Sequence, residues 1–172
     1  MTKRNKLPPY LLPAWPRRMM QAISPTERDR ARNTLLLGML YFAGLRVSEA
    51  LALQRPDIYL DRRTLLVRHG KGDKQRYVSL GRRLTELLTS YLRDLAGNVL
   101  FPSRRGILTR RQALNIVKAR AEAAGIPPDQ VWTHLLRHGT ASHALERGVD
   151  LATVRDMLGH SNIAVTSVYL QV

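Results

Sequence analysis

The last forty residues hold the side chains best suited to chemistry. His134 and Arg137 lie three positions apart, His160 follows Gly159, and Tyr169 stands three residues from the end. On a helix, residues at i and i+3 share a face, so His134 and Arg137 can address one object. An arginine offers up to five donors to phosphate oxygens, and a histidine can donate or shuttle a proton. A tyrosine hydroxyl beside such groups can act as a nucleophile, although its ordinary pKa of about 10 means it needs a base and a positive field. Each feature alone also has a plain reading. A spaced His and Arg suit any basic helix, and a histidine at a helix end often only caps it.

Upstream, Arg46 opens a helical segment in Gly44-Leu45-Arg46-Val47-Ser48-Glu49. Helix starts favour anions, so Arg46 can bring a second guanidinium to the same phosphate, with Glu49 one turn later to orient it. An ordinary ion pair within the helix would look the same. Lys71 sits between two glycines in a turn, where a lysine is solvated or reaches into a groove to donate a proton.

The elements that must hold these residues can be read from period and punctuation. Residues 1–16 are proline-rich and basic and are expected to form an irregular lead-in or linker remnant, with a single catalytic domain over 17–172. Ser24-Pro25-Thr26-Glu27 resembles a capping box, opening a helix to about residue 43 that Gly44 stops. A short helix over 47–53 ends before Pro56. Three β-leaning stretches, 57–60, 64–69 and 75–80, are separated by turn residues and predict a small antiparallel sheet. Helices are expected over 82–95 and 109–124, the second capped by Thr109 and Gln112. Three more follow, over 133–147, 151–158 and a last one ending near Tyr169. The expected class is α+β, mainly α-helical, with a small three-stranded antiparallel sheet.

Charge narrows the partners. Lys and Arg total 28, of which five are lysine, against 13 acidic residues, a formal net charge of +15. With 44% hydrophobic residues the chain can build a core, so its basic surface is expected to meet a polyanion, foremost double-stranded DNA. No apolar run is long enough to span a membrane, no secretory signal follows the basic N-terminus, and there is no cysteine. A cytoplasmic protein, nucleoid-associated when on DNA, is the expectation. There is no phosphate-binding glycine loop ending in Gly-Lys-Ser/Thr and no acidic cluster of a two-metal nuclease, so neither a cofactor nor a metal is expected. Arg76, Lys74, Arg110, Arg111 and Lys118 are expected to meet the DNA backbone, as are some of Arg62, Arg63, Arg68, Arg104, Arg105 and Arg120. Trp132, His138 and His143 are expected to pack or cap.

The phrases GLRVSEALAL, HGKGDKQRYVSL, THLLRHGTASHAL and MLGHSNIAVTSVY, in that order, resemble the tyrosine recombinases, also called the phage integrase family. The resemblance spans about residues 20–170 and implies the catalytic-domain fold of that family. It implies that Arg46 and Arg137 clamp the scissile phosphate, that His160 is a further phosphate ligand, and that His134 assists proton movement. It also implies that Lys71 is the general acid for the departing 5′ oxygen, that Tyr169 is the nucleophile, and that Glu49 is a supporting acid. The implied activity is metal- and ATP-independent cleavage and rejoining of DNA through a 3′-phosphotyrosine, as in integration, excision, inversion or resolution. Two alternatives share much of this pattern: a nicking-closing enzyme like the type IB topoisomerases, and a DNA-binding relative without activity. Members of the family usually carry a separate helical DNA-binding domain ahead of the catalytic one, and often a docking segment after the tyrosine. Here three residues follow Tyr169, so the expectation is a monomer off DNA that assembles into a tetrameric synapse on it.

Overall fold

A computed structural model of the chain describes residues 10–23, 27–68 and 75–159. The described residues form seven α-helices: α1 (Ala14–Gln21), α2 (Arg30–Tyr41), α3 (Val47–Ala52), α4 (Arg82–Asp94), α5 (Arg110–Ala123), α6 (Thr133–Glu146) and α7 (Leu151–Leu158). Strands β1 (Ile58–Tyr59), β2 (Thr64–Val67) and β3 (Arg76–Ser79) form an antiparallel sheet in the order β1-β2-β3, and β4 (Pro102–Ser103) pairs with β5 (Gly106–Ile107). The architecture is α+β and mainly helical, as the sequence pattern implies. Lys71, Lys74, His160, Tyr169, the last expected helix and most of the expected Ser24–Glu27 box lie outside the described residues.

The helix α2 organises the domain. Leu35, Leu36, Leu37, Met39 and Leu40 are all essentially inaccessible, so the second half of this helix is apolar on every side and must be surrounded. It is: α1, α3, α4, α5 and α6 all pack on it. The helix α4 shows the opposite pattern, burying only Leu84, Leu88 and Leu92, one face at four-residue spacing. The sheet is held in register by Leu65 opposite Val78, and Leu65, Val67 and Val78 join the same core. A smaller cluster of Ala141, Val154 and Leu158 fastens α7 to α6.

The structure corrects the sequence reading at the N-terminal end. Residues 14–21 are helical, and Leu11, Met19 and Met20 are buried with Trp15 packed beside them, so the described end of the expected irregular lead-in, from Leu11 to Pro16, joins the core. The backbone around Leu11 docks on α6 at two places. Nε2–H of the buried His143 donates to the Leu11 carbonyl at 2.8 Å, which leaves Nδ1 to accept from the Tyr41 hydroxyl at 2.8 Å. The Leu11 side chain also lies where a Cβ on Gly139 would be, 2.3 Å from its Cδ2.

The helix α2 starts at Arg30 rather than near residue 25, because Glu27 has a different task. Its Oε1 accepts from Nε of Arg120 at 2.8 Å. Arg120 is 1% exposed. Its other donors reach the carbonyls of Met19 (3.2 Å), Met20 (3.1 Å) and Arg30 (3.2 Å) and the Thr34 hydroxyl (2.9 Å). One guanidinium thus satisfies last-turn carbonyls of α1 and ties α1, α2 and α5 together. Arg120 is therefore a core residue and not a DNA contact. The capping of α5 agrees with the sequence reading: Thr109 Oγ1 accepts from the Gln112 amide at 3.2 Å, and Gln112 returns an acceptor to the Thr109 amide at 2.8 Å.

Candidate active site

Arg46, Glu49 and Arg137, three of the residues singled out in sequence, converge between α2, α3, α6 and α7. The turn after α2 makes this possible. Gly44 has φ +60°, a left-handed conformation that side chains disfavour, and a Cβ there would lie 2.7 Å from Leu158 Cδ2. The chain then leaves Arg46 extended at the head of α3. The Glu49 carboxylate reaches back to this helix start, accepting from the Arg46 amide (2.9 Å) and from its guanidinium (2.8 Å).

Glu49 is the hub of the site. Its side chain is 3% exposed, and three guanidiniums face it. Arg76 donates from both terminal nitrogens, one to each carboxylate oxygen, at 2.9 Å and 2.9 Å. Arg137 places a terminal nitrogen 3.8 Å from Oε2. Burial, the largest single influence, pushes the Glu49 pKa up, but the hydrogen bonds and charge of Arg76 and the bonds from Arg46 outweigh it and hold the group at about 2. The carboxylate is therefore ionised at every pH of interest, and with three guanidiniums around it the cluster keeps a surplus of positive charge.

Arg137 is nearly inaccessible. It donates to the Gly44 carbonyl and to the Leu158 carbonyl, the latter at 2.6 Å. The Leu158 carbonyl belongs to the last turn of α7, which lacks partners within its helix and carries the negative end of the helix dipole. So Arg137 joins the turn that presents Arg46 to the helix end that leads into Gly159 and His160. Arg46 is the more open of the two, with its side chain 27% exposed.

His134 stands exposed on the first turn of α6, one turn before Arg137. Partial burial of the ring, then the charges of Arg137 and Arg46, lower its pKa from the ordinary 6.5. It is neutral at pH 7 and able to accept a proton. His138 meets it edge-on with ring centroids 4.6 Å apart. Burial first, then His134 and Arg137, lowers the His138 pKa to about 4. His143, by contrast, is the core histidine described above, and Trp132 packs against the core.

The remaining basic residues divide. Arg110 and Arg111 at the head of α5, and Lys118 further along it, are exposed. Arg68 is held by the buried Asp57 at 2.6 Å. Arg76, expected to meet DNA, spends both terminal nitrogens on Glu49 and is corrected to a member of the site. Sequence reasoning missed this partnership because Arg76 and Glu49 are 27 positions apart on different elements.

Comparison with known proteins bears on this arrangement. The family model described as phage integrase family matches residues 11–172. The chain belongs to the phage integrase family. Among curated relatives, tyrosine recombinase XerA of Thermococcus kodakarensis is 37% identical over 174 residues, covering 98% of this chain and 60% of that protein. Tyrosine recombinase XerD of Brucella suis is 43% identical over 162 residues, covering 88% of this chain and 52% of that protein. The chain therefore spans a little over half the length of these relatives. Of solved structures, the XerA recombinase superposes with a TM-score of 0.84 at 27% identity, over 99% of this chain and 61% of that one. The XerH site-specific recombinase bound to its difH substrate, a pre-cleavage complex, superposes with a TM-score of 0.82 at 30% identity, over 98% of this chain and 52% of that one.

Proposed function

We propose that this chain is the catalytic part of a site-specific DNA recombinase that cuts and rejoins strands through a 3′-phosphotyrosine. The observation that carries this reading is the guanidinium cluster on Glu49. It is a cluster with surplus positive charge, in which Arg46 is partly exposed, His134 is neutral nearby, and Arg137 is bonded to the end of α7, which Gly159 and His160 follow in sequence. A phosphodiester resists attack because its transition state gathers negative charge on the non-bridging oxygens. Fixed guanidiniums and imidazoles can neutralise that charge without reorganising.

In this reading Tyr169 Oη attacks the phosphorus, its proton passing toward His134. The bond from phosphorus to the 5′ oxygen breaks, and Lys71 supplies that oxygen's proton. Arg46, Arg137 and His160 hold the phosphate. The phosphotyrosine conserves the bond energy, so a DNA 5′ hydroxyl can reverse the step on the same or a new strand. Lys74 and the exposed Arg110, Arg111 and Lys118 would meet the flanking backbone, with four protomers forming the synapse on DNA and monomers off it. A chain whose described helices include none long and apolar enough to cross a membrane fits a partner in solution.

The test is a suicide substrate nicked so that the cleaved end diffuses away, incubated with the full-length protein and denatured. A covalent protein–DNA adduct is expected. Tyr169→Phe is expected to abolish it while leaving DNA binding nearly unchanged, and an adduct that survives this substitution refutes the nucleophile assignment. Relaxation of supercoiled plasmids of any sequence with no recombinant product would instead support the nicking-closing reading.

A further inference from the structure

Arg76 has a role that the reaction scheme above leaves open. It is the first residue of β3, paired with Val67 across the foot of the β2–β3 hairpin. From there its guanidinium covers both oxygens of Glu49. On its other side it lies against the end of α7: a Cβ on Gly159 would sit 2.7 Å from Arg76 Nε. Gly159 also has φ +64°, so two independent constraints select glycine there. Arg76 therefore touches the hairpin, the arginine hub and the residue before His160. Its side chain is largely enclosed, and both terminal nitrogens are committed to Glu49.

The division of Glu49 among its partners matters. Arg46 makes one guanidinium contact to Oε1, at 2.8 Å, and its remaining guanidinium donors have no partner among the described residues. Arg137 stays at 3.8 Å from Oε2, beyond hydrogen-bond length. Arg76 alone holds the carboxylate with a full fork. Without it, Oε2 would keep only the Arg46 amide. The planar fork of Arg46 could then close on both oxygens, and Arg137 could be drawn off the Gly44 carbonyl.

We propose that Arg76 is a positioning residue. By occupying Glu49 with both terminal nitrogens, it keeps Arg46 and Arg137 from collapsing onto that carboxylate and leaves Arg46 aimed outward. The proposal rests on the reading that Arg46 and Arg137 clamp a scissile phosphate. It implies that replacing Arg76 injures the recognition of phosphate charge specifically, whereas a general loosening of the fold would slow cleavage of any substrate alike.

The experiment compares adduct formation by the full-length protein, R76Q and R76K on two suicide substrates. One has a normal scissile phosphate, and the other a methylphosphonate, which lacks the charge of one non-bridging oxygen. Misplacing the clamp by about an ångström is expected to slow R76Q about 10–100-fold on phosphate. R76K, which keeps the charge but cannot span both oxygens, should fall between R76Q and the unaltered protein. On the methylphosphonate the defects of both variants should shrink to a few-fold, with DNA affinity changed little; R76Q should melt lower, because Glu49 loses its two-bond partner, so all rates are compared at a temperature where every variant stays folded. Equal defects on the two substrates, or full activity of R76Q, overturn the proposal. If the unaltered protein forms no adduct on phosphate, the recombinase reading falls and takes the proposal with it; an adduct together with an unaffected R76Q sinks the proposal alone.

Discussion

Replacing Glu49 by glutamine tests the hub directly. The carboxylate is lowered from an ordinary 4.5 to about 2 by its guanidinium partners. Each pKa unit is worth about 1.4 kcal/mol, so the ionised group contributes about 3 kcal/mol to folding at neutral pH. Its folded pKa is depressed, so this stability is fully present above about pH 4.5 and is lost as pH falls from there toward about 2. Glutamine keeps the shape but removes the charge and leaves Arg46, Arg76 and Arg137 facing one another. Breaking a buried pair in this way costs about 3–5 kcal/mol. The assay is urea unfolding of both proteins at a series of pH values. At pH 7, E49Q should be less stable by about 3 kcal/mol, a melting shift of roughly 6–12 °C for a domain of this size. The difference should be constant from pH 7 to about 5 and narrow below that. A difference under about 1 kcal/mol at pH 7 would mean that the hub is solvated and that the partnership is far weaker than its distances imply. A difference that stays flat to pH 3 would assign the loss to shape rather than charge.

Other outcomes follow from single contacts. Arg120→Leu is expected to cost about 3–5 kcal/mol in the same unfolding assay, because Glu27 would lose its partner and the last-turn carbonyls of α1 their donors. Tyr41→Phe removes the hydroxyl that Nδ1 of His143 accepts from, and should cost about 1–3 kcal/mol while leaving cleavage chemistry intact. Lys71→Ala should slow cleavage of ordinary DNA, and a substrate whose leaving group is a 5′ thiol should largely restore the rate, since a thiolate needs no proton. Absence of that rescue would remove Lys71 from the general-acid role.

Much of the fold was legible because the signals were local. Thr109 and Gln112 cap α5 within one turn, Asp150 accepts from the Thr153 amide at 2.9 Å to start α7, and Gly159 ends it in a left-handed conformation. The three-stranded sheet was legible from its turn residues. What escaped was set by distant partners. The helix α1 was hidden because Pro13 and Pro16 look like breakers. Both stand at the start of the helix, where the amides have no partner to lose. The Ser24–Glu27 pattern suggested a cap, but Glu27 is claimed by Arg120, 93 positions away. The two-residue strands β4 and β5 are too short to show a period. At the site, residue types and spacing pointed to Arg46, Glu49, His134 and Arg137. They could not show that Arg137 would be enclosed between two carbonyls, nor that Arg76 would turn inward to Glu49.

The docking of the Leu11 segment on α6 has a mechanical consequence. This stretch is gripped by its side chain at Gly139 and by its carbonyl at His143, two and six residues beyond Arg137 on the same helix. A helix is stiff over such distances, so a pull or twist applied to the chain ahead of Tyr10 is delivered to the rod that carries Arg137 and His134. The segment works as a clamped cable and not as slack. Anything fused or bound upstream would be felt at Arg137 and His134 as a change in tension, delivered through α6 from a point outside the site.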